Sequence, residues 1–238
     1  MEACARSDSP RRSEIWAFLR DAGAQLNPPG QKPYRKSNSL LTELIDHGWE
    51  DAIIHEVLAS GVGINDSVIG PDGRTPLQAS VRRGDLNLVK ELVAHGAAIN
   101  APAGYKHGRT ALKQACDDPI INMDLVWFLL ENNADVNAKA GAVGGVTALQ
   151  GVAISGHTNL ALLLIDEFNA DVNGLPAVQE GRTALEAAAD HGRLDLVQIL
   201  LAKGAKPRAT KSGFEDAIYL AEGEGHWAVA RLLSEAAV

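Results

Sequence analysis

Apolar and polar positions along the chain recur with the spacing of short amphipathic helices. In segment 183–201, an apolar run after Thr183 is interrupted at Gly192 and resumes at Leu194 with helical periodicity. Gly204 follows the second run, in the position where a left-handed residue commonly ends a helix. The pattern predicts two short helices joined by a tight turn.

This two-helix pattern repeats along the chain. The threonines that precede the first helix of each unit, Thr75, Thr110, Thr147 and Thr183, are separated by 35, 37 and 36 residues. Upstream and downstream, Ser39 and Asp216 fall in the same position. Because Thr, Ser and Asp side chains accept hydrogen bonds from free helix N–H groups, all six are predicted N-caps. One such pair of helices cannot bury its apolar face alone, so the repetition predicts a stacked all-α array.

Two further sets of polar residues recur in phase and are interpreted as structural. Asp85, Asp124 and Asp195 fall at the starts of second helices, where carboxylates favour the helix dipole and act as caps. Four asparagines at the entries to the inter-repeat loops are expected to close turns with their own side chains; they are Asn65, Asn100, Asn137 and Asn173.

The phrases GRTPLQAS, GRTALKQA, GVTALQGV and GRTALEAA, with AHGAAIN, NNADVN, FNADVN and AKGAKP, resemble ankyrin repeats. The Ala-rich helices and long loops are similar to arrays in large fungal multi-repeat proteins. The resemblance implies an all-α solenoid of paired antiparallel helices with extended β-hairpin fingers, comprising about six repeats plus a partial N-terminal one. The expected organisation is a disordered tail at 1–12, a partial repeat and long loop at 13–38, core repeats at 39–207 and a C-terminal capping repeat at 208–238.

The chain departs from the family pattern in two ways. Each finger is about two residues longer than in the family, since ten residues separate the loop asparagine from the next threonine. The family commonly has His three residues after the threonine, where this chain has Gln78, Lys113, Gln150 and Glu186. We therefore expect the loss of some inter-repeat hydrogen bonding.

Composition and charge restrict the classes of function. A formal net charge of −8 opposes binding to phosphate backbones, so no nucleic-acid partner is predicted. Cys4 and Cys116 lack the spacing of a disulfide framework or zinc site, no apolar run is long enough to cross a membrane, and the chain is assigned to the cytoplasm or nucleus. Five of the seven histidines adjoin turn glycines and no metal site is predicted. Without a catalytic motif the chain is predicted to be a non-enzyme that needs no cofactor.

Local charge points to a surface for a protein partner. Finger segments 28–38 and 101–109 are basic although the whole chain is acidic, and each contains a tyrosine. Tyr and Arg commonly anchor protein interfaces, and the resemblance implies that partners contact finger tips and the exposed ends of first helices. The predicted contact residues are Tyr34, Arg35, Lys36, Arg74, Arg82, Arg83, Tyr105, Lys106, Arg109, Asp117, Asp118, Arg182, Asp190 and His191.

The leading hypothesis is therefore a monomeric, non-catalytic module that binds an acidic or mixed-charge protein or peptide on its finger and groove face. Two alternatives remain at this point. One is a structural spacer or capping array within a larger multidomain protein, with no partner of its own. The more distant one is a small-molecule enzyme site in the groove, which would need titratable groups converging on one position.

Overall fold

The computed structural model describes residues 39–60, 63–65, 73–102, 104, 106–117, 120–206 and 214–237. Within these ranges the regular secondary structure consists of twelve helices and no strand, which confirms the predicted all-α fold. The chain divides into two compact units, Met1–Ala98 and Ile99–Val238. The boundaries inferred from the sequence for the tail, the core repeats and the capping repeat stay predictions.

The described helices form pairs in both units. The first unit contains α1 (Leu40–Asp46), α2 (Asp51–Ala59), α3 (Pro76–Arg83) and α4 (Leu86–Ala94). The second unit contains α5 (Ala111–Cys116), α6 (Met123–Glu131), α7 (Ala148–Ser155), α8 (Thr158–Asp166), α9 (Ala184–Asp190), α10 (Leu194–Ala202), α11 (Glu215–Gly223) and α12 (Trp227–Ala236). The longest has ten residues, so no helix in the described ranges could cross a membrane.

Stacking of first helices builds the core of the second unit. Helices α5, α7, α9 and α11 pack side by side, and each packs on the second helix of its own pair. Buried alanines such as Ala148 and Ala188 allow close approach, while Leu149, Leu164 and Leu185 fill the space between layers. Because each pair covers the apolar face of the next, the core is continuous through the unit.

Side-chain capping fixes the start of most first helices. Thr75, Thr147 and Thr183 each accept a hydrogen bond from the backbone N–H three residues on, and the side chain of that third residue accepts one from the threonine N–H. This reciprocal arrangement is a capping box. Ser39 and Thr110 also cap their helices, so five of the six predicted N-caps are confirmed.

Three predicted caps were wrong. Asp216 lies inside the first turn of α11, whose N-cap residue is Phe214. Asp124 and Asp195 also lie within first turns, behind the N-cap residues Asn122 and Arg193. A carboxylate in the first turn still interacts favourably with the helix dipole. Only Asp85 of this acidic set is an N-cap, and its carboxylate accepts from Leu88 N at 3.0 Å.

Candidate partner-binding surface

Three described fingers of the second unit are joined to one another at their tips. Val143 forms single parallel bridges with Lys106 of the preceding finger and Gln179 of the following one. His107 N donates to Val143 O at 2.8 Å, and Gly144 N donates to Gln179 O at 3.0 Å. Among the described residues, these bridges run from one finger to the next and join three fingers.

A shared backbone turn brings each fingertip into position for these bridges. His107, Gly144 and Glu180, three residues before the capping threonine of their repeats, all have positive φ, at 49°, 59° and 58°. The next residue is glycine in each case, and a Cβ on Gly145 would overlap the backbone of Gly141. The left-handed residue and the close backbone approach together make a tight turn that a larger side chain would open.

The recurring asparagines have a structural role, but across repeats rather than within a turn. Asn137 Nδ2 donates to Asn169 O at 3.0 Å, and its Oδ1 accepts from Asp171 N at 2.8 Å. Asn65, Asn100 and Asn173 make the same pair of bonds to backbone groups about one repeat further along. The predicted closure of local turns was therefore wrong for these four residues. Positive φ occurs instead at Asn133 and Asn169, whose carbonyl oxygens accept hydrogen bonds from the side chains of the preceding asparagines.

Residues that replace the family histidine retain hydrogen bonds to the next finger at two positions. Gln150 belongs to the capping box of α7, and its Nε2 also donates to Gly174 O at 3.1 Å. Lys113 is 1% exposed, and its Nζ donates to Lys139 O. The expected loss of inter-repeat bonding therefore does not occur at either position.

In the first unit, the three described contact arginines bind neighbouring parts of the same chain. Arg74 Nη1 lies 3.1 Å from Asp46 Oδ2, and Arg82 approaches the same carboxylate at 3.9 Å. Arg83 Nη1 donates at 3.2 Å to the carbonyl of Ile45, near the end of α1, and its guanidinium lies 4.0 Å from Asp85. These side chains join consecutive repeats, so a partner would meet cations that are already partly neutralised.

Ion pairs also join predicted contact residues in the second unit. Arg109 pairs with Asp117, and Arg182 Nη1 lies 3.6 Å from Asp190 Oδ2. His191 Nδ1 lies 3.4 Å from the same carboxylate. In each pair the arginine stands eight residues before the aspartate, whereas the intervening repeat has Val146 and Ile154 at these positions. In these three repeats, Arg and Asp are thus either both present or both replaced by apolar residues. This pattern was a signal for ion pairs that the sequence-based prediction did not use.

Other side chains at the fingertips are exposed and take no part in these ion pairs. Lys106 is exposed and makes no ion pair within the described part of the chain. Val178 is 89% exposed, and Gln179 and Glu180 beside it are exposed as well. Together with Val143, these four residues form what we call the finger surface. Five predicted contact residues lie outside the described ranges: Tyr34, Arg35, Lys36, Tyr105 and Asp118.

A recess of about 530 Å³ opens between two fingers of the second unit. Small residues, including Gly104, Ala138 and Gly141, line much of it, while Asp135 and Lys139 supply charge. Small lining residues leave finger backbone within reach of an incoming chain, which suits recognition of an extended peptide segment.

Two buried groups in α5 have displaced pKa values. Burial raises the pKa of the Cys116 thiol to about 12, with Asp117 adding to the effect, so the thiol stays protonated. Burial also lowers the pKa of Lys113 to about 8, which the charge of Asp135 partly opposes. Cys116 therefore behaves as an apolar core residue. The Lys113 ammonium donates a hydrogen bond to the next finger.

Comparisons with known proteins identify the repeat type. The family model for ankyrin repeats matches residues 35–140 and 124–211, with three copies in all. The chain is 32% identical over 114 residues to the ankyrin repeat and KH domain-containing protein mask-1 of Caenorhabditis elegans, covering 48% of this chain and 4% of that protein. It is 33% identical over 93 residues to the NF-kappa-B inhibitor cactus of Drosophila melanogaster, covering 39% of this chain and 18% of cactus.

A longer match is to alpha-latroinsectotoxin-Lt1a of Latrodectus tredecimguttatus. It is 28% identical over 162 residues, covering 68% of this chain and 10% of the toxin. The chain therefore spans less than a fifth of the length of each of these relatives.

Proposed function

Because the chain belongs to the ankyrin-repeat family, we propose that it is a non-catalytic module that binds a protein or peptide on its finger surface. The observation that carries this proposal is the backbone pairing of successive fingertips through Lys106, Val143 and Gln179. A surface held in place before binding loses little conformational entropy when a partner arrives. The relative cactus, described as an inhibitor of NF-kappa-B, gives a precedent for an array of this type acting on another molecule.

Charge at the finger surface favours a partner of mixed charge. Arg109 and Arg182 have carboxylate partners within the chain, so among the described fingertip residues of the second unit the charges without an ion-pair partner are Lys106 at one side and Glu180 at the other. Val143, which is bridged to both fingers, lies between them, and Val178 adds an exposed apolar side chain beside Glu180. A peptide with an apolar side chain between an acidic and a basic residue would match this order.

The chemistry of the buried groups supports binding rather than catalysis. Catalytic groups act from positions where a substrate can reach them. Cys116 is fully buried with a raised pKa, and Lys113 is buried with its Nζ bonded to Lys139 O. Both lie within the packed layer of α5 and hold structure there.

The test is affinity capture from a soluble cell extract with three forms of the protein. The finger variant carries Lys106→Glu and Val178→Glu. Its matched control carries Arg231→Glu and Gln198→Glu, which change the net charge equally at exposed positions of α12 and α10. We expect a protein retained by the wild type and the control and lost by the finger variant, with all three giving the same helical circular dichroism.

The alternative outcome favours the spacer hypothesis. If no protein is retained, or if all three forms retain the same set, the finger surface has no partner in that extract. An array without a partner of its own would then be the better description.

A further inference from the structure

A second surface, outside the fingers, arises where the repeat period is broken. The distance from capping threonine to loop asparagine is 25 residues for Thr75–Asn100 but 27 for Thr110–Asn137 and 26 for Thr147–Asn173. The extra residues fall near Ile120 and Phe168. Ile120 lies three residues before the start of α6, and Phe168 contacts Trp127 within α6, so both irregularities adjoin this helix.

Exposed apolar side chains lie on α6 and next to it in sequence. Ile120 is 85% exposed, Met123 38% and Trp127 40%. Met123 and Trp127 are four residues apart and therefore lie on one face of the helix. The Trp127 ring meets Phe168 of the next repeat edge-on, with centroids 5.8 Å apart and planes at 65°. We call these four residues the outer patch.

The stacking of repeats does not require apolar residues here. In the other second helices the residue equivalent to Trp127 is His55, Lys90, Leu162, Gln198 or Arg231, which is polar or charged in four cases of five. A half-exposed tryptophan at a position that accepts lysine or glutamine is costly in water unless something covers it. The position is therefore available for an interaction that the fold does not need.

The chain segment that contains the outer patch is strongly acidic in sequence. Residues 114–181 contain nine Asp or Glu and one Lys, a local balance that equals the −8 of the whole chain. Asp124, Glu131 and Glu167 are exposed, and within the described ranges no ion pair involves them. Asp124 adjoins Met123, Glu131 is four residues after Trp127, and Glu167 adjoins Phe168. The apolar side chains are thus bordered by carboxylates.

We propose that the outer patch is a docking site for a basic amphipathic segment of a partner protein. Apolar side chains of that segment would cover Met123, Trp127 and Ile120, while its Lys or Arg residues would meet Asp124, Glu131 and Glu167. The same carboxylates repel anionic lipid surfaces and nucleic acids, which leaves a cationic protein segment as the matching occupant. This site is separate from the finger surface and uses none of its residues.

The test measures binding of a defined probe to the intact chain. The probe is a fluorescent amphipathic peptide of about 18 residues with Leu and Trp on one helical face and Lys on the other. A second peptide replaces every Lys by Glu. Fluorescence anisotropy is recorded for the wild type and for Met123→Thr/Trp127→Gln, whose new residues occupy the equivalent positions at Thr158 and Gln198. We expect the variant to bind the basic peptide at least about tenfold more weakly, and the acidic peptide not to bind.

Two further variants distinguish binding at the outer patch from non-specific hydrophobic binding and from an effect of misfolding. Tyr219→Gln/Trp227→Thr removes exposed aromatic surface elsewhere in the unit and should bind the basic peptide like the wild type. Glu131→Gln/Glu167→Gln leaves the apolar residues in place and should both weaken binding and reduce its salt dependence.

Several results would overturn the proposal. These are equal binding by the patch variant, equal loss in the aromatic control, or equal binding of the acidic peptide. A concentration-dependent dimer that Trp127→Gln abolishes, without peptide binding, would identify a second copy of the chain as the occupant instead.

Discussion

Lys113 connects two repeats through a buried ammonium group, and burying that charge costs free energy. Its side chain replaces the family histidine, is almost fully buried, and donates from Nζ to Lys139 O at the base of the next finger. Burial of the ammonium lowers its pKa from 10.5 to about 8. The lowered pKa means that the charged form is less stable in the folded protein than in the unfolded chain. Gln150, at the equivalent position, makes a similar bond without a charge.

We therefore expect Lys113→Gln to stabilise the protein at pH 7, by roughly 2 kcal/mol. Between pH 8 and 10.5 the unfolded wild type binds more protons than the folded form, so its free energy of unfolding rises with pH across this window. The advantage of the variant should shrink accordingly. Urea denaturation at pH 7 and pH 10 measures both effects.

Lys106→Gln, at an exposed finger position, controls for the loss of one positive charge. If Lys113→Gln is less stable than the wild type at pH 7, the ammonium contributes more to the finger contact than its burial costs.

At the scale of the element, helices begin through local bonds and repeats are joined by a ladder of asparagines. The capping boxes at Thr75, Thr147 and Thr183 involve residues three apart and form within one repeat. Each ladder asparagine instead binds two backbone groups about one repeat away, as Asn137 does with Asn169 O and Asp171 N. The capping bonds fix where a helix begins, and the asparagine bonds connect each repeat to the next.

Asn137→Ala removes both bonds of one step in this ladder, and we expect it to lower the free energy of unfolding by about 1–2 kcal/mol. Asn137→Asp keeps the acceptor for Asp171 N but loses the donor to Asn169 O, so it should fall between the wild type and Ala. Asn132→Ala, which removes only a bond to Phe128 O within the same repeat, is the matched comparison. Chemical denaturation of the three variants tests the order, and an equal loss in Asn132→Ala would refute a special role for the ladder.

At the scale of the whole molecule, the two compact units contain different numbers of described helix pairs. The first unit has two and the second has four. Repeat arrays of this type need about three stacked pairs to bury enough apolar surface for independent stability. The second unit therefore contains enough repeats to fold without the first.

We expect a fragment of residues 99–238 to remain helical and to unfold cooperatively on heating. The fragment 1–98 should unfold at a lower temperature and over a broader range. Circular dichroism melts of both fragments and of the full chain decide this. A disordered 99–238 fragment would show that its stability depends on residues before Ile99.

The helices and their order follow from the amino-acid sequence alone, because they depend on local chemistry that recurs with a fixed period. Apolar spacing located both helices of each pair, and four Thr positions together with Ser39 marked five of the six proposed caps. Asp216 failed because a carboxylate favours both an N-cap and a first turn, and the residue type alone does not separate these positions.

Which polar residues a partner can reach depends on contacts between repeats. From the sequence, Arg109 and Arg182 are predicted to be free charges on the fingers. In the folded protein they form ion pairs with Asp117 and Asp190. Asn137 appears as a turn residue until the next repeat supplies Asn169 O and Asp171 N. Trp127 and Phe168 are 41 positions apart in sequence and meet only when neighbouring repeats stack. Contacts between repeats depend on distances that a sequence pattern does not contain, so the repeat identifies the scaffold and the stacking determines its surfaces.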